Sequence, residues 1–193
     1  METRMERAAA LRERALRVIG GLGLMERWSR IGRPVLVGSV RFGLMANTNI
    51  DLEVYVPEPR VRDGFGVIAE LAERPGIRRI QYLNVMGTDD PGLYWRVDCE
   101  DGGELWDIDI WLVPDDHPHA GLAGRFASAM ERALTEETRD AILALKAARP
   151  PGSKIRGIDV YRAVLAGNVR TDRDFQVWLA DHSVSDGIEE WMP

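Results

Sequence analysis

The chain of 193 residues has a single cysteine, Cys99. One thiol cannot close an internal disulfide, a usage expected of a protein held in a reducing cytoplasm. In a strand context a lone Cys is first of all a small buried hydrophobe. No apolar run approaches the roughly 20 residues that a bilayer-spanning helix needs, so no membrane partner is expected. The N-terminal stretch METRMERAAALRERALRVIG carries Glu and Arg throughout, without the uninterrupted apolar segment of a secretory signal. A basic stripe is missing too: the net charge is −6, and the basic residues are scattered among acids, as in MERAAALRERALR. Proteins that grip phosphate backbones concentrate positive charge, so bulk nucleic acid is disfavoured unless folding assembles a local patch. P-loop spacing, zinc-finger spacing and a supported Ser-His-Asp arrangement are all lacking, as are internal repeats.

What is present is ordered. Residues 4–19 repeat apolar side chains at three- and four-residue steps (Ala8, Leu11, Ala15, Leu16, Ile19), which predicts an amphipathic helix interrupted by Gly20, Gly21 and Gly23. A short helix through Met25 and Trp28 follows. PVLVGSV is an apolar run bounded by Pro and Gly, and IDLEVYV alternates cleanly, so both are expected as strands. VRDGFGVIAELAER is expected to be helical, with Asp63 as N-cap and Pro75-Gly76 as the stop. A strand near RRIQYLNVM precedes a hairpin, GLYWRVDCEDGGELWDIDIWLV, turning in Asp101-Gly102-Gly103. From Ala120 onward the pattern is helical, with Thr135 and Thr171 as N-caps and Asp174 in the capping-box position.

Residues two apart on a strand share a face. Asn49, Asp51 and Glu53 therefore project together, against Ile50, Leu52 and Val54 on the other side. Asp107, Asp109 and Trp111 do the same, opposite Trp106, Ile108 and Ile110. These could be half-exposed strands whose polar faces meet water. Asp is depleted in strands, however, and a Gly-Ser pair at Gly38 and Ser39 closes the strand just upstream. A glycine lets backbone approach a ligand closely, and carboxylates beside a phosphate-binding turn suit Mg²⁺, which takes a few carboxylates plus substrate phosphates. Two such ions can clamp an in-line displacement.

VGSVRFGLMANTNIDLEVYV together with LWDIDIWLV resembles the nucleotidyltransferase superfamily, which includes antibiotic nucleotidyltransferases and the DNA polymerase beta type. The pattern is Gly-Ser, a gap, Asp-apolar-acid-apolar, and a third acid on a later strand; here eleven residues separate Ser39 from Asp51. The resemblance covers about residues 30–115 and implies an α+β fold, a mixed sheet flanked by helices in residues 1–116 and a helical region in residues 117–193. It implies Asp51, Glu53 and Asp109 as catalytic and metal-binding acids, with Asp107 as the fallback for the third, and Gly38, Ser39 and Arg41 as the nucleotide-binding group. Many relatives have Asp-Ile-Asp-Leu where this chain has Asn49-Ile50-Asp51-Leu52, so the metal pair is either Asp51 with Glu53 or Asn49 with Asp51. The first register keeps the acids intact; the second makes the protein a degenerate enzyme or a binder.

The neighbouring residues allow two readings each. Arg96 shares the face of the acids and is either a cross-strand ion-pair partner or a phosphate contact. Trp111 either packs against the helical half or stacks on a base or acceptor. His117 and His119 in PDDHPHA have His-x-His spacing, but a solvated loop is the expectation for them. The resemblance thus implies a cytoplasmic, Mg²⁺-dependent transfer of a nucleotidyl group from a nucleoside triphosphate to a hydroxyl of a small molecule or protein.

Overall fold

A computed structural model describes residues 2–117, 120–149, 155–182 and 191–193. Five strands form one sheet: β1 (Arg33–Val37), β2 (Asn49–Val56), β3 (Ile77–Asn84), β4 (Leu93–Asp101) and β5 (Glu104–Pro114), in the order β1-β2-β5-β4-β3. β2 and β5 run parallel at the centre; every other pairing is antiparallel. The sheet is therefore mixed, and its two acid-bearing strands are neighbours although more than fifty residues apart in sequence. Residues 102 and 103 turn the β4–β5 hairpin with Asp101 opposite Glu104, and both glycines have positive φ, as a primed two-residue turn requires.

Helices α1 (Arg4–Leu22), α2 (Leu24–Ser29) and α4 (Val61–Ala72) cover one face. Leu11, Ala15, Val18, Ile19 and Leu22 of α1 join Ile50, Leu52, Val54, Trp95, Ile108, Ile110 and Leu112 in a single core. Cys99 belongs to it, as a buried strand residue. Two expectations are corrected here. α1 is not interrupted at Gly20 and Gly21 but runs on to Leu22 and stops at Gly23, because docking of Val18, Ile19 and Leu22 outweighs the roughly 1 kcal/mol that each helical glycine costs. α4 begins earlier than expected: its N-cap is Arg60, and Asp63 lies inside the first turn, where an acid favours the helix dipole.

A second core is built by α5 (Leu122–Ala133), α6 (Glu136–Ala148), α7 (Gly157–Leu165) and α8 (Asp172–Asp181). Thr135 and Thr171 cap α6 and α8, accepting from the amides of Thr138 and Asp174. Ala8 of α1 and Phe42 and Leu44 from the β1–β2 connection are part of this core. The connection thus ties sheet and helices together, with a short helix, α3 (Gly38–Phe42), at its start.

Candidate active site

The parallel register puts Asn49 opposite Asp107, Asp51 opposite Asp109 and Glu53 opposite Trp111. Partners in register share a face, so the two acid-bearing strands present their polar side chains together. Asp51 and Asp109 are close enough to repel. The Asp51 carboxyl is pushed up to about 7, first by burial and then by the charge of Asp109, while Lys146 pulls it back. Above the pair lies the turn from β1 into α3. A Cβ on Gly38 would stand 2.2 Å from Asp51 Oδ2, and φ there is +64°. Only glycine fits on both counts, and its absence of a side chain lets backbone lie against the carboxylate.

Each side chain around the pair has a defined partner. Asn49 Nδ2 donates to Asp109 Oδ2 at 2.8 Å, and the Tyr94 hydroxyl donates to Asp109 Oδ1 at 2.5 Å. Both oxygens of Asp109 are thereby held by neutral donors. Burial raises the Tyr94 phenol first, with its bond to Asp109 acting the same way. Glu53 accepts from the Tyr55 hydroxyl at 2.5 Å. Burial raises the Glu53 carboxyl, against the opposing pulls of that hydrogen bond and of His117. Arg96 lies opposite Asp109 in register but reaches along the strands to Asp107 at 2.6 Å and Asp98 at 3.1 Å. Its ion-pair reading describes these contacts. Arg41 reaches away from the acids to Glu131 on α5, at 3.5 Å on the surface.

Lys146 was not singled out by its sequence context. It lies near the end of α6 and donates to Ser39 Oγ and to the Leu44 carbonyl, each at 2.7 Å. The helical half thus contributes a cation to the Gly38-Ser39 turn, beside Asp51. Nothing local marks it; only the packing of α6 on the β1–β2 connection brings it there. His117 is a correction of the opposite kind. Expected in a solvated loop, it is buried, with Nε2 2.8 Å from Asp90 Oδ1; His119 lies outside the described residues.

Among the described residues no three of Asp, Glu, His and Cys gather closely enough to hold a metal ion by themselves. The Asp51–Asp109 pair has the right donors for a smaller demand. Hard carboxylates that repel one another gain from a divalent cation between them, and Mg²⁺ characteristically takes one or two carboxylates and completes its shell with substrate phosphates and water. A cation held with the help of a substrate fits the residues; an all-protein cage does not.

The sequence matches no family model and no curated protein. Solved structures do match. A cytoplasmic RNA terminal U-transferase aligns with TM-score 0.55 at 15 % identity, over 80 % of this chain and 47 % of that one. The non-canonical poly(A) polymerase complex GLD-2–GLD-3 aligns with TM-score 0.59 at 11 % identity, over 98 % and 67 %. E. coli CdnC with ATP aligns with TM-score 0.50 at 18 % identity, over 91 % and 66 %. The chain has the nucleotidyltransferase fold. It spans about half the length of the first of these structures and about two thirds of the other two. At these identities the likeness is one of fold, the mixed sheet with its flanking helices. No helix among the described residues is long and apolar enough to cross a membrane.

Proposed function

We propose that the protein transfers a nucleotidyl group from a nucleoside triphosphate to a hydroxyl of a small molecule or protein. One observation carries the reading: Asp51 and Asp109 lie side by side on parallel strands, with the Gly38 turn against Asp51 and Lys146 bonded to Ser39. The nucleotidyltransferase fold supports the reaction class. In the transfer, an acceptor oxygen bonds to the α-phosphorus as the bond to the bridging oxygen breaks, and pyrophosphate leaves. In this reading Asp109 would take the acceptor's proton, with Asn49 and Tyr94 donating to its two oxygens and fixing its orientation. Lys146 and the Gly38-Ser39 amides meet the triphosphate charge, with Arg41 at the rim once released from Glu131. Mg²⁺ bound by Asp51 and Asp109 would neutralise phosphate charge. Glu53, held by Tyr55, joins the metal site only if that bond is exchanged.

The same side chains support a second reading. Asn49 donates to Asp109 at the position where many relatives carry an acid, and Lys146 offsets part of the burial and of the Asp109 charge that raise Asp51. Such a site could bind nucleotide and not turn it over. RNA-tailing neighbours bring nucleic-acid ends into the range of acceptors, although the scattered basic charge of this chain does not favour them.

Calorimetry with each triphosphate and Mg²⁺, beside a pyrophosphate-release assay over small-molecule, protein and RNA acceptors, separates these. Metal-dependent release that is lost in Asp51→Asn and Asp109→Asn supports transfer. Tight binding without release supports the binder. Absence of any nucleotide binding overturns both. Release that survives in Glu53→Gln assigns the metal to Asp51 and Asp109 without Glu53.

A further inference from the structure

The two end strands of the sheet are not alike. β1 is five residues long and carries Pro34, whose missing N–H blunts an edge against further pairing. β3 is eight residues long, has no proline, and is fully exposed except at Ile77 and Ile80. Among the described residues no strand pairs with its outer side. Charged side chains normally guard such an edge. The two on β3 are turned inward: Arg78 is bonded to Glu100 and Arg79 to Asp98, each at 2.7 Å. Both stand at one end, beside the register shift between Ile77 and Arg79. From Ile80 to Asn84 the strand is uncharged, and Leu83 is 51 % exposed.

The phase of the backbone follows from its hydrogen bonds. Val85 N–H donates to the Gly92 carbonyl at 3.0 Å, towards the β4 side. By alternation Leu83, Gln81 and Arg79 also turn their backbone groups to β4, while Tyr82 and Ile80 turn theirs outward. Asp107 N–H, bonded to Thr48 on the β2 side, sets the same phase through β5 and β4. Ile80 and Tyr82 are register partners of Val97 and Trp95, so they lie on the helix-covered face, where the Tyr82 ring meets that of Phe65. Arg79, Gln81 and Leu83 lie on the face of the acids.

The segment that complements this edge is β3 itself. Its regular stretch, Arg79 to Leu83, is centred on Gln81. A two-fold axis through Gln81, perpendicular to the sheet, sets the strand antiparallel to its copy. Ile80 then faces Tyr82 of the other copy, and the two exchange the hydrogen bonds that both turn outward. The stem of Arg79 covers Leu83, and Gln81 faces Gln81. No like charges oppose one another, whereas parallel pairing in register would set Arg78 and Arg79 against themselves.

We infer that β3 is a self-association edge, at which two copies of the chain pair antiparallel and join their sheets into one of ten strands. The axis keeps like faces together. Gln81, Arg96 and Asp109 stand in one row across the sheet, so the two acid pairs open on the same side. They lie about 24 Å apart, at five strand spacings of about 4.8 Å. This association goes beyond the nucleotidyl-transfer reading and does not depend on it.

Sedimentation of the full chain from about 1 to about 100 μM is expected to show a monomer–dimer equilibrium. Gln81→Glu keeps the monomer's charges balanced, because Arg96 is its register partner, but sets two carboxylates against each other on the axis. Association should weaken at least roughly tenfold. Gln81→Cys should cross-link two copies on mild oxidation, since opposed residues that exchange no hydrogen bonds hold their Cα atoms about 4.5 Å apart. Leu83→Cys, which faces Arg79 of the other copy, should not, and neither should the parent, whose Cys99 is buried. Circular dichroism checks the fold of each variant; should Gln81→Glu not fold, the two cysteine variants decide. A chain that stays monomeric at about 100 μM overturns the pairing. So does a dimer that Gln81→Glu leaves intact, or cross-linking as fast through Leu83→Cys as through Gln81→Cys.

Discussion

The two faces of the central sheet are made by the same strands and obey opposite rules. On the helix-covered face, Ile50, Leu52, Val54, Ile108, Ile110 and Leu112 are all at most 1 % exposed. On the other face, the alternate residues of those strands are Asn49, Asp51, Glu53, Asp107, Asp109 and Trp111, each only partly buried. Burying apolar area stabilises at about 25 cal/mol per Å², so the first face accounts for the existence of the sheet. The second holds like charges together, against the Coulomb term. Its Asp51 carboxyl is raised by burial first and by the neighbouring Asp109 charge second. Stability comes from one side of the strands, and chemical capacity is concentrated on the other.

The sharpest way to break this contrast is to alter one residue on each side of neighbouring strands. Ile110→Ala empties a fully buried site and should cost about 2–5 kcal/mol, a large part of the about 5–15 kcal/mol typical of a domain. Chemical denaturation measures it. Asp51→Asn should leave stability unchanged or higher, while transfer falls by roughly a hundredfold or more. If Asp51→Asn instead destabilises as Ile110→Ala does, the polar face is structural and the division of labour fails.

A pH titration of stability in chelator tests the same face. Asp51 has its ordinary carboxyl value near 3.8 when unfolded and about 7 when folded. Between those values the native state holds a proton that the unfolded state has released. Stability contributed by this group is thus full below pH 4 and falls as pH rises towards 7. The expected slope is negative in that window and reduced in Asp51→Asn. A positive slope that is unchanged by the mutation would remove the charge conflict at the pair.

Much of this was legible in the sequence because both faces are written in alternation. Period-two patterning gave β2 and β5 and the face each residue takes, and the glycines at 102 and 103 gave the hairpin that brings Arg96 among the acids. Thr135 and Thr171 announced their caps. The failures have a common origin in contacts distant along the chain. Gly20 and Gly21 look like a break until Val18, Ile19 and Leu22 are seen docking on the sheet. PDDHPHA looks solvated until Asp90 supplies the partner of His117. Lys146 is one more helix-end cation until α6 packs on the β1–β2 connection. Asn49 was ambiguous for a different reason: two registers of one motif differ by two residues, which preserves the face, so alternation cannot choose between them.

An intermediate effect is expected from Lys146→Met, which keeps most of the stem and removes the charge. The Leu44 carbonyl and Ser39 hydroxyl each lose a donor, for about 1–3 kcal/mol of stability. Nucleotide affinity, measured by calorimetry, should fall more than that of Arg41→Gln, because Arg41 is an exposed residue paired with Glu131. Equal losses in the two variants would place the phosphates at the rim and not at the turn.

The smallest effect should come from the far edge of the polar face. Arg79 is bonded to Asp98 at 2.7 Å, but its side chain is 57 % exposed whereas Asp98 is 6 % exposed. Removing a buried acid's sole partner would be expensive, since the charge would be left uncompensated. Here Arg96 also bonds Asp98, at 3.1 Å, so Arg79→Gln leaves the acid paired. The loss should stay below about 1 kcal/mol and shrink further in high salt, as exposed pairs do. A loss of several kcal/mol would mean that Arg96 cannot serve Asp98 and Asp107 at once, and that the ion pairs of this face carry stability comparable to the apolar contacts behind them.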